Sequence, residues 1–572
     1  MTGRLAERGT ARRRAQGIGR AAVMIGVITI LARLVGFGRQ VMFAHTVGTT
    51  CLGTAYTTAN MVPNIIYDIV LGGALSSVVV PVLAGPALAA VGRRGANGAG
   101  GAVEPAEPAD LADATEAARR IASALLTWTV ILLVPVSAVL ALAAHPIVSV
   151  LLSHASGCPR AVMAGVGARM LIVFAPQVLL YGLAVVLYGI LQSYRRFGAP
   201  ALAPLLSSLV VIGAYAAFGA IGGAYVFGNR LHELPPMSEY LLSGGTTLGV
   251  VALVATAVYP ARRLRLGVRP MLRFPPGVGP RVRRLALAGV LTLVAQDASA
   301  AVVIVLSNRY GATGALVLYG FAWAVFMVPY AVLAVPIATS TFPTLSVGAA
   351  TGPRGGADAG FDVTSATSTR AVMIASWLGA AALVGARVPV ARVFESHFAP
   401  DASVLALALA AFAPGLVGYG ISANLSRVLY ALGRNRATAV ALGGGWLLVI
   451  AADLAIVGFV APSRVVPALG LGMSFGLTVS GLALLILVRR ERGSVALHGV
   501  SRAFIAGLAG AVAGAAAGSL VATALSAPGF IVNVGISVLV TVVVIAVFAG
   551  VAGSLDSTDL RAALARLRAR PS

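Results

Sequence analysis

Fourteen apolar stretches, each long enough to cross a lipid bilayer, constrain this chain more than any other feature of its sequence. A hydrocarbon core ~30 Å thick needs about 20 apolar residues per helix. Runs of that kind lie near 21–44, 54–90, 121–152, 161–192, 200–225, 241–260, 285–308, 314–347, 370–391, 402–432, 437–460, 465–488, 502–525 and 530–553. Of the 572 residues, 58% are apolar and only 10% charged, and the mean hydropathy is +0.92. A soluble domain carries roughly 25% charged residues, so this chain lacks the charge to cover a water-facing surface. Lipid satisfies no backbone polar group, so the crossing segments must be helices. The second and eighth runs carry Pro63 with Pro81, and Pro329 with Pro336 and Pro343. Those prolines should kink or break them.

The charges orient the chain. All 42 basic residues are arginine, against 18 acidic ones, for a net charge of +24. With the N-terminus in the cytoplasm, 32 arginines fall on the cytoplasmic side and only six outside: Arg160, Arg230, Arg309, Arg387, Arg392 and Arg464. That asymmetry obeys the positive-inside rule. The basic excess therefore meets anionic inner-leaflet lipid; nucleic acid would need a water-facing basic patch that this chain lacks. The first run holds Arg33 and Arg39 and no small-x-small cleavage site, so it is expected to be a retained helix rather than a signal peptide. The expected organisation is a basic cytoplasmic N-terminus (1–20), an N-lobe of six helices (21–260) and an Arg-rich cytoplasmic linker (261–284). A C-lobe of six helices (285–488), helices thirteen and fourteen (489–553) and a basic cytoplasmic tail (554–572) follow. Residues 92–118, rich in Gly, Pro and Glu, are expected as a mobile cytoplasmic loop, and Asp559–Arg570 as a basic amphipathic helix on the membrane surface.

An internal repeat supports the two lobes. Phe174-Ala175-Pro176 followed by Tyr181-Gly182 recurs as Phe412-Ala413-Pro414 followed by Tyr419-Gly420. Leu187 and Leu191 correspond to Leu425 and Leu429, and both copies end in Arg-rich turns. Ser77 to Leu83 likewise matches Ser340 to Leu345. Helices two and four then correspond to eight and ten. A repeat of six helices leaves both lobes in one orientation, related by an axis along the membrane normal. The expected fold class is an all-α polytopic membrane protein of about 14 helices: two six-helix lobes plus two C-terminal helices.

Charged and amide side chains inside the apolar runs carry the functional signal, because an ionised group at a helix centre costs roughly 2.5–3.5 kcal/mol. Arg33 and Arg39 share helix one, with Gly36 and Gly38 between them as bending points. Two guanidiniums at one cavity would hold a pyrophosphate by forked hydrogen bonds. Asn60, Asn64 and Gln177 are the uncharged candidates beside them, and Asp68 and Asp297 the candidate coupling or counter-ion carboxylates. Arg169, Arg427, Asp453 and also Asp297 sit nearer helix ends, where snorkelling or structural pairing is expected. Cys51 and Cys158 are too few for a disulfide scaffold or a zinc site. Both fall in outer turns, which leaves a disulfide between them open. The six histidines show no ligand spacing, so no metal is expected. Gly472-Met473-Ser474-Phe475-Gly476 matches a nucleophile elbow, but it lies inside an apolar helix, where small residues serve packing. The chain holds no phosphate-binding GxxxxGK[ST] motif. It is therefore expected to be no enzyme and to need no cofactor, with a coupling cation or the membrane potential as driving force.

The residues of helices one and two resemble a known signature. Leu31-Ala32-Arg33-Leu34-Val35-Gly36-Phe37-Gly38-Arg39, Ala44, Pro63-Asn64, Gly73-Ala74, Ser76-Ser77 and Pro81-Val82-Leu83 are similar to the MurJ/MviN family of the multidrug/oligosaccharidyl-lipid/polysaccharide (MOP) exporter superfamily. The similarity continues through Pro176-Gln177, Tyr181-Gly182, Phe197-Gly198 and Phe342-Pro343-Thr344-Leu345-Ser346, over roughly residues 20–490. The resemblance implies a fourteen-helix lipid II flippase of the cell membrane, moving a lipid-linked peptidoglycan precursor from the inner to the outer leaflet. It further implies cationic cavity residues on the pyrophosphate, with Arg33 and Arg39 as the helix-one pair, and a lipid-tail groove at the last two helices. The chain departs from the pattern at five positions. Thr54 stands where an acidic residue is usual, Tyr67 and Asp68 where an Arg pair is common, Gly72 where a Glu is common, and Ala324 where an Arg is often found. Alternatives left open are a polysaccharide-lipid exporter, a cation-coupled drug antiporter using Asp68 or Asp297, and a non-transporting scaffold binding cell-wall synthesis proteins.

Overall fold

A computed structural model describes residues 27–68, 79, 83, 108–152, 157–194, 196–227, 233–264, 266–275, 278–351, 358–396 and 402–555. Its regular structure is nearly all helical. In chain order the helices are α1 (Val27–Thr46), α2 (Cys51–Asp68), α3 (Pro108–Leu142), α4 (Ala144–Leu151), α5 (Arg160–Phe174), α6 (Pro176–Ser193) and α7 (Gly198–Phe227). Then follow α8 (Pro236–Arg262), α9 (Val278–Tyr310), α10 (Ala315–Pro329), α11 (Val335–Thr351), α12 (Ala359–Gly385) and α13 (Arg387–Val393). The last six are α14 (Ala402–Phe412), α15 (Gly415–Ala431), α16 (Asn435–Val457), α17 (Val465–Arg492), α18 (Val500–Ala524) and α19 (Phe530–Leu555).

Eleven spans among the described residues are long and apolar enough to cross a membrane, or twelve if α14 and α15, bent by 43°, form one. Each coincides with an expected run. Of the two runs left over, the seventh is helical within α9, and the second is helical as α2 up to Asp68 and continues outside the described residues. The full count of fourteen is thus not reached among the described residues. The expected N-terminal segment 1–20, the tail helix Asp559–Arg570, Gly72 and most of the repeat at Ser77–Leu83 also lie outside them.

One expected boundary is wrong. Residues 108–118, assigned to a loop, form the first turns of α3. Charge density suggested water, but Glu116 accepts bidentate hydrogen bonds from Arg119 at 2.7 Å and a further one from Arg120 at 2.7 Å. These i,i+3 and i,i+4 pairs support a helix that projects beyond the lipid. The guanidiniums beside it hold the exposed Glu116 carboxyl down at about 2.

Only part of the expected breaking at prolines is seen: Pro63 and Pro343 lie inside continuous helices, and Pro81 is outside the described residues. Between Pro329 and Pro336 the backbone slips into a π-helical turn, Tyr330–Ala334; a proline offers no N–H to the preceding turn, and the wider turn absorbs the defect. The repeated Phe-Ala-Pro motif marks the same break twice, between α5 and α6 and between α14 and α15. At the second break Ser474 repairs the backbone. Its hydroxyl donates to the Ala411 carbonyl at 2.7 Å and accepts from the Gly415 N–H at 3.0 Å. The apparent nucleophile elbow is therefore a helix-packing site, with Gly472 and Gly476 pressed against α16. The tyrosines that follow each motif are used alike as well. Tyr181 stacks on Tyr67 and Tyr419 on Tyr330, both at 4.2 Å between ring centroids.

The two ends of the bundle differ chemically. At one end, residues 269–272 run along α3. The Arg269 and Met271 N–H groups donate to Ser123 and Thr127, and Trp128 donates to the Leu272 carbonyl at 3.0 Å. Arg492 meets Asp362 at 2.7 Å and Arg434 meets Glu491 at 2.8 Å at this arginine-rich end. The Asp358 side chain caps α12 by accepting from the Phe361 N–H at 2.7 Å. That bond, with the Thr351 hydroxyl, holds its carboxyl below the usual range. Asp358→Ala should lower the thermal unfolding temperature in detergent at neutral pH, because the helix loses its N-cap. The difference should shrink as pH falls through the lowered value and the native carboxylate protonates.

At the opposite end Cys51 and Cys158 are bonded, tying the start of α2 to the turn before α5.

Candidate functional site

A cavity of about 490 Å³ lies at the centre of the bundle, lined by side chains from both halves of the chain. Arg39 enters from α1; Asn60, Asn64 and Asp68 from α2; Gln296 and Asp297 from α9; Trp323 and Ala324 from α10. Thus five of the seven residues singled out in the sequence converge here: Arg39, Asn60, Asn64, Asp68 and Asp297. Arg39 makes no hydrogen bond or ion pair among the described residues. It lines the cavity together with Tyr56, Tyr181 and Tyr215. Asp297 is 3% exposed, and its Oδ2 has no hydrogen-bond partner. Asp68 lines the same cavity. Arg39 therefore faces the cavity with its donors unused, and an unsatisfied carboxylate oxygen lies across from it. The buried Asp297 carboxylate calls for a partner that the protein itself does not supply, and the half-buried Arg39 keeps its donors open to the cavity.

Arg33 and Gln177 do not join them. Arg33 is exposed, outside the cavity. Six helical residues turn 600°, which leaves Arg33 about 120° away from Arg39, and α1 is continuously helical through Gly36 and Gly38. Gln177 is fully buried and donates to Thr247 at 2.8 Å, bridging α6 and α8. Arg169 is paired as expected, with Glu239 at 2.6 Å. Asp453 is not: it is buried in α16 with both carboxylate oxygens unpartnered.

The unusual positions have structural uses. Thr54 accepts from the Gly314 N–H at 3.1 Å, across the two halves of the chain. Beside it Asn308 donates to Thr58 at 3.0 Å and to the Leu151 carbonyl at 3.1 Å, and Ser396 donates to the Ala44 carbonyl at 2.8 Å. These bonds shut the cavity at the disulfide end. Gly314 has φ +79°, and a Cβ there would strike Thr49 at 2.3 Å, so only glycine lets the halves come this close. Tyr67 is a stacking partner, and Ala324 leaves cavity space where a long cation would reach in.

Several cavity residues carry no mark in the sequence reading. Tyr56 bonds to Tyr215 at 2.8 Å and to Thr246 at 2.7 Å, a buried hydroxyl cluster linking α2, α7 and α8. Thr58 and Asn308 form the clasp. Their signal was a polar group within an apolar run, the one already used for the charged residues but not extended to hydroxyls.

The lipid II flippase MurJ family model matches residues 43–543. The chain belongs to the lipid II flippase MurJ family. A probable lipid II flippase MurJ of Synechocystis sp. is 25% identical over 262 residues, which is 45% of this chain and 43% of that protein. The match thus spans less than half the length of that curated relative. A lipid II flippase MurJ in an inward closed conformation has a TM-score of 0.65 at 16% identity, over 92% of this chain and 99% of the other. An inward-facing MATE-family multidrug resistance transporter of the MOP superfamily follows the fold at TM-score 0.59 and 14% identity, over 83% of this chain and 98% of the other. These likenesses establish a MurJ-like fold and a multi-pass membrane transporter family.

Proposed function

We propose that this chain is a lipid II flippase that carries a pyrophosphate-linked peptidoglycan precursor from the inner to the outer leaflet by alternating access. The observation that carries the proposal is Arg39, a guanidinium with unused donors in a cavity framed by both halves of the chain. Forked N–H donors suit a pyrophosphate. Asn60, Asn64 and Gln296 offer amides to the sugar and peptide parts of the headgroup. Arg33, on the exposed face of α1, is assigned to approach rather than to binding, and Gln177 to holding α6 against α8.

The clasp at Thr54, Thr58 and Asn308 supports a state closed toward the disulfide end. A disulfide forms in an oxidising compartment, which supports assigning that end to the outside and the arginine-rich end to the cytoplasm, with both termini cytoplasmic in a cell-membrane protein. Outward opening then requires the clasp to break and the lobes to part at that end. Asp68 and Asp297 are assigned to the coupling cation. One charge moved through 100 mV is worth about 2.3 kcal/mol, enough to bias the return of the empty carrier.

One observation favours a second reading, a cation-coupled exporter of a different cargo: the cavity sets two carboxylates against one guanidinium. Expression of this chain in cells depleted of their own lipid II flippase separates the two. Restored growth is the expected result. An inserted chain that leaves the cells lysing, yet raises resistance to cationic dyes until Asp68→Asn is introduced, would establish the second reading instead.

A further inference from the structure

Two of the few arginines at the disulfide end sit in one seven-residue helix, α13, and line an open groove of about 520 Å³ together with Glu395, Ser403 and Leu407. Arg392 makes no hydrogen bond or ion pair among the described residues. Arg387 uses one nitrogen on the Val384 carbonyl at 3.1 Å and, at 3.5 Å, on the Ser519 hydroxyl of α18. Glu395 is exposed and pairs with neither, so the groove keeps a net positive charge. Both guanidiniums are half-buried, a costly setting that an anion would relieve.

The surroundings are those of a lipid surface. Helix α13 packs on α19, and its Val390 joins the apolar cluster built by Val540 and Val544. Past the groove, the C-terminal pair of helices leaves Leu520 70% and Ile531 81% exposed. An acyl or isoprenoid chain lying there would hold its headgroup at the level of Arg387 and Arg392.

We propose that the Arg387–Arg392 groove is a second phosphate site, outside the central cavity, that takes the phosphate headgroup of a lipid in the outer leaflet. The proposal rests on the flippase reading for its orientation, with this end outward. The headgroup comes either from the translocated pyrophosphate lipid or from a resident anionic phospholipid; both present the same chemistry to the two guanidiniums.

The test uses the full chain in detergent, with lipid retention read by native mass spectrometry. An Arg39→Gln background removes the central guanidinium, so that what remains reports this groove. Undecaprenyl pyrophosphate, phosphatidylglycerol and phosphatidylcholine are added separately. Undecaprenyl pyrophosphate should be retained, and its retention should drop at least tenfold on adding Arg392→Gln, with phosphatidylcholine unchanged. Arg392→Lys, which keeps the charge but loses the fork, should fall between. If phosphatidylglycerol shows the same loss, the occupant is a resident phospholipid and the phosphate site stands. Equal retention of both phosphate lipids by the Arg39→Gln chain and by the Arg39→Gln, Arg387→Gln, Arg392→Gln triple variant would overturn the site. A partial loss on Arg39→Gln concerns the central cavity, whereas complete loss of both phosphate lipids in that background would overturn the groove, so the two assignments fail separately.

Discussion

Arg39→Ala should reduce lipid II translocation in proteoliposomes by roughly 150-fold while the protein still inserts and purifies as a folded species. The magnitude follows from the bonds lost. A hydrogen bond to a charged group is worth about 1.5–3 kcal/mol, and losing a forked pair costs at least ~3 kcal/mol, with each 1.4 kcal/mol a factor of ten. Arg39 makes no bond inside the protein that would disturb the fold on removal. Arg39→Lys keeps the charge but not the fork, and should recover only part of the rate. Arg33→Ala should change the rate less than threefold, because Arg33 lies outside the cavity. Equal losses from the two alanine variants would contradict a single central guanidinium.

A covalent bridge across the clasp should be nearly as damaging. Thr58 and Asn308 touch at 3.0 Å across the two halves of the chain. In a Thr58→Cys, Asn308→Cys chain, a short bis(methanethiosulfonate), which forms a disulfide to each thiol with loss of methanesulfinate, should slow translocation by more than tenfold, and a reductant that cleaves those disulfides should restore it. The natural cysteines are already bonded to each other and do not compete for the reagent. Each clasp hydrogen bond contributes only about 1 kcal/mol, so the clasp can open on its own and the covalent bridge cannot. Undiminished transport by the bridged protein would mean that this end never opens.

Much of this architecture was legible in the sequence, because lipid imposes few solutions. A run of about twenty apolar residues must be a helix, and the runs locate most helices to within a turn or two, although α3 and α12 begin about three turns before theirs. The repeat was legible too: Phe-Ala-Pro breaks a span in each copy, and Tyr181 and Tyr419 stack alike. Side-chain direction was not. Arg33 and Arg39 look like a pair in the sequence, yet helical phase sends them to different faces, and the helix continues through Gly36 and Gly38. Gln177 looked like a binding residue because an amide in lipid needs a partner; Thr247 supplies it. Thr54 read as a missing charge, whereas its hydroxyl serves the clasp. Such contacts join residues some 250 positions apart, and no local pattern encodes them.

Accessibility of the cavity from each side of the membrane bears most directly on an aqueous chamber around Arg39. In an Asn60→Cys chain the new thiol is the single free one. A membrane-impermeant maleimide should label it readily in inside-out vesicles and at least tenfold more slowly in right-side-out ones. A thiol at position 60 that stays unlabelled from both faces would mean that no water reaches Arg39, and the chamber would not exist.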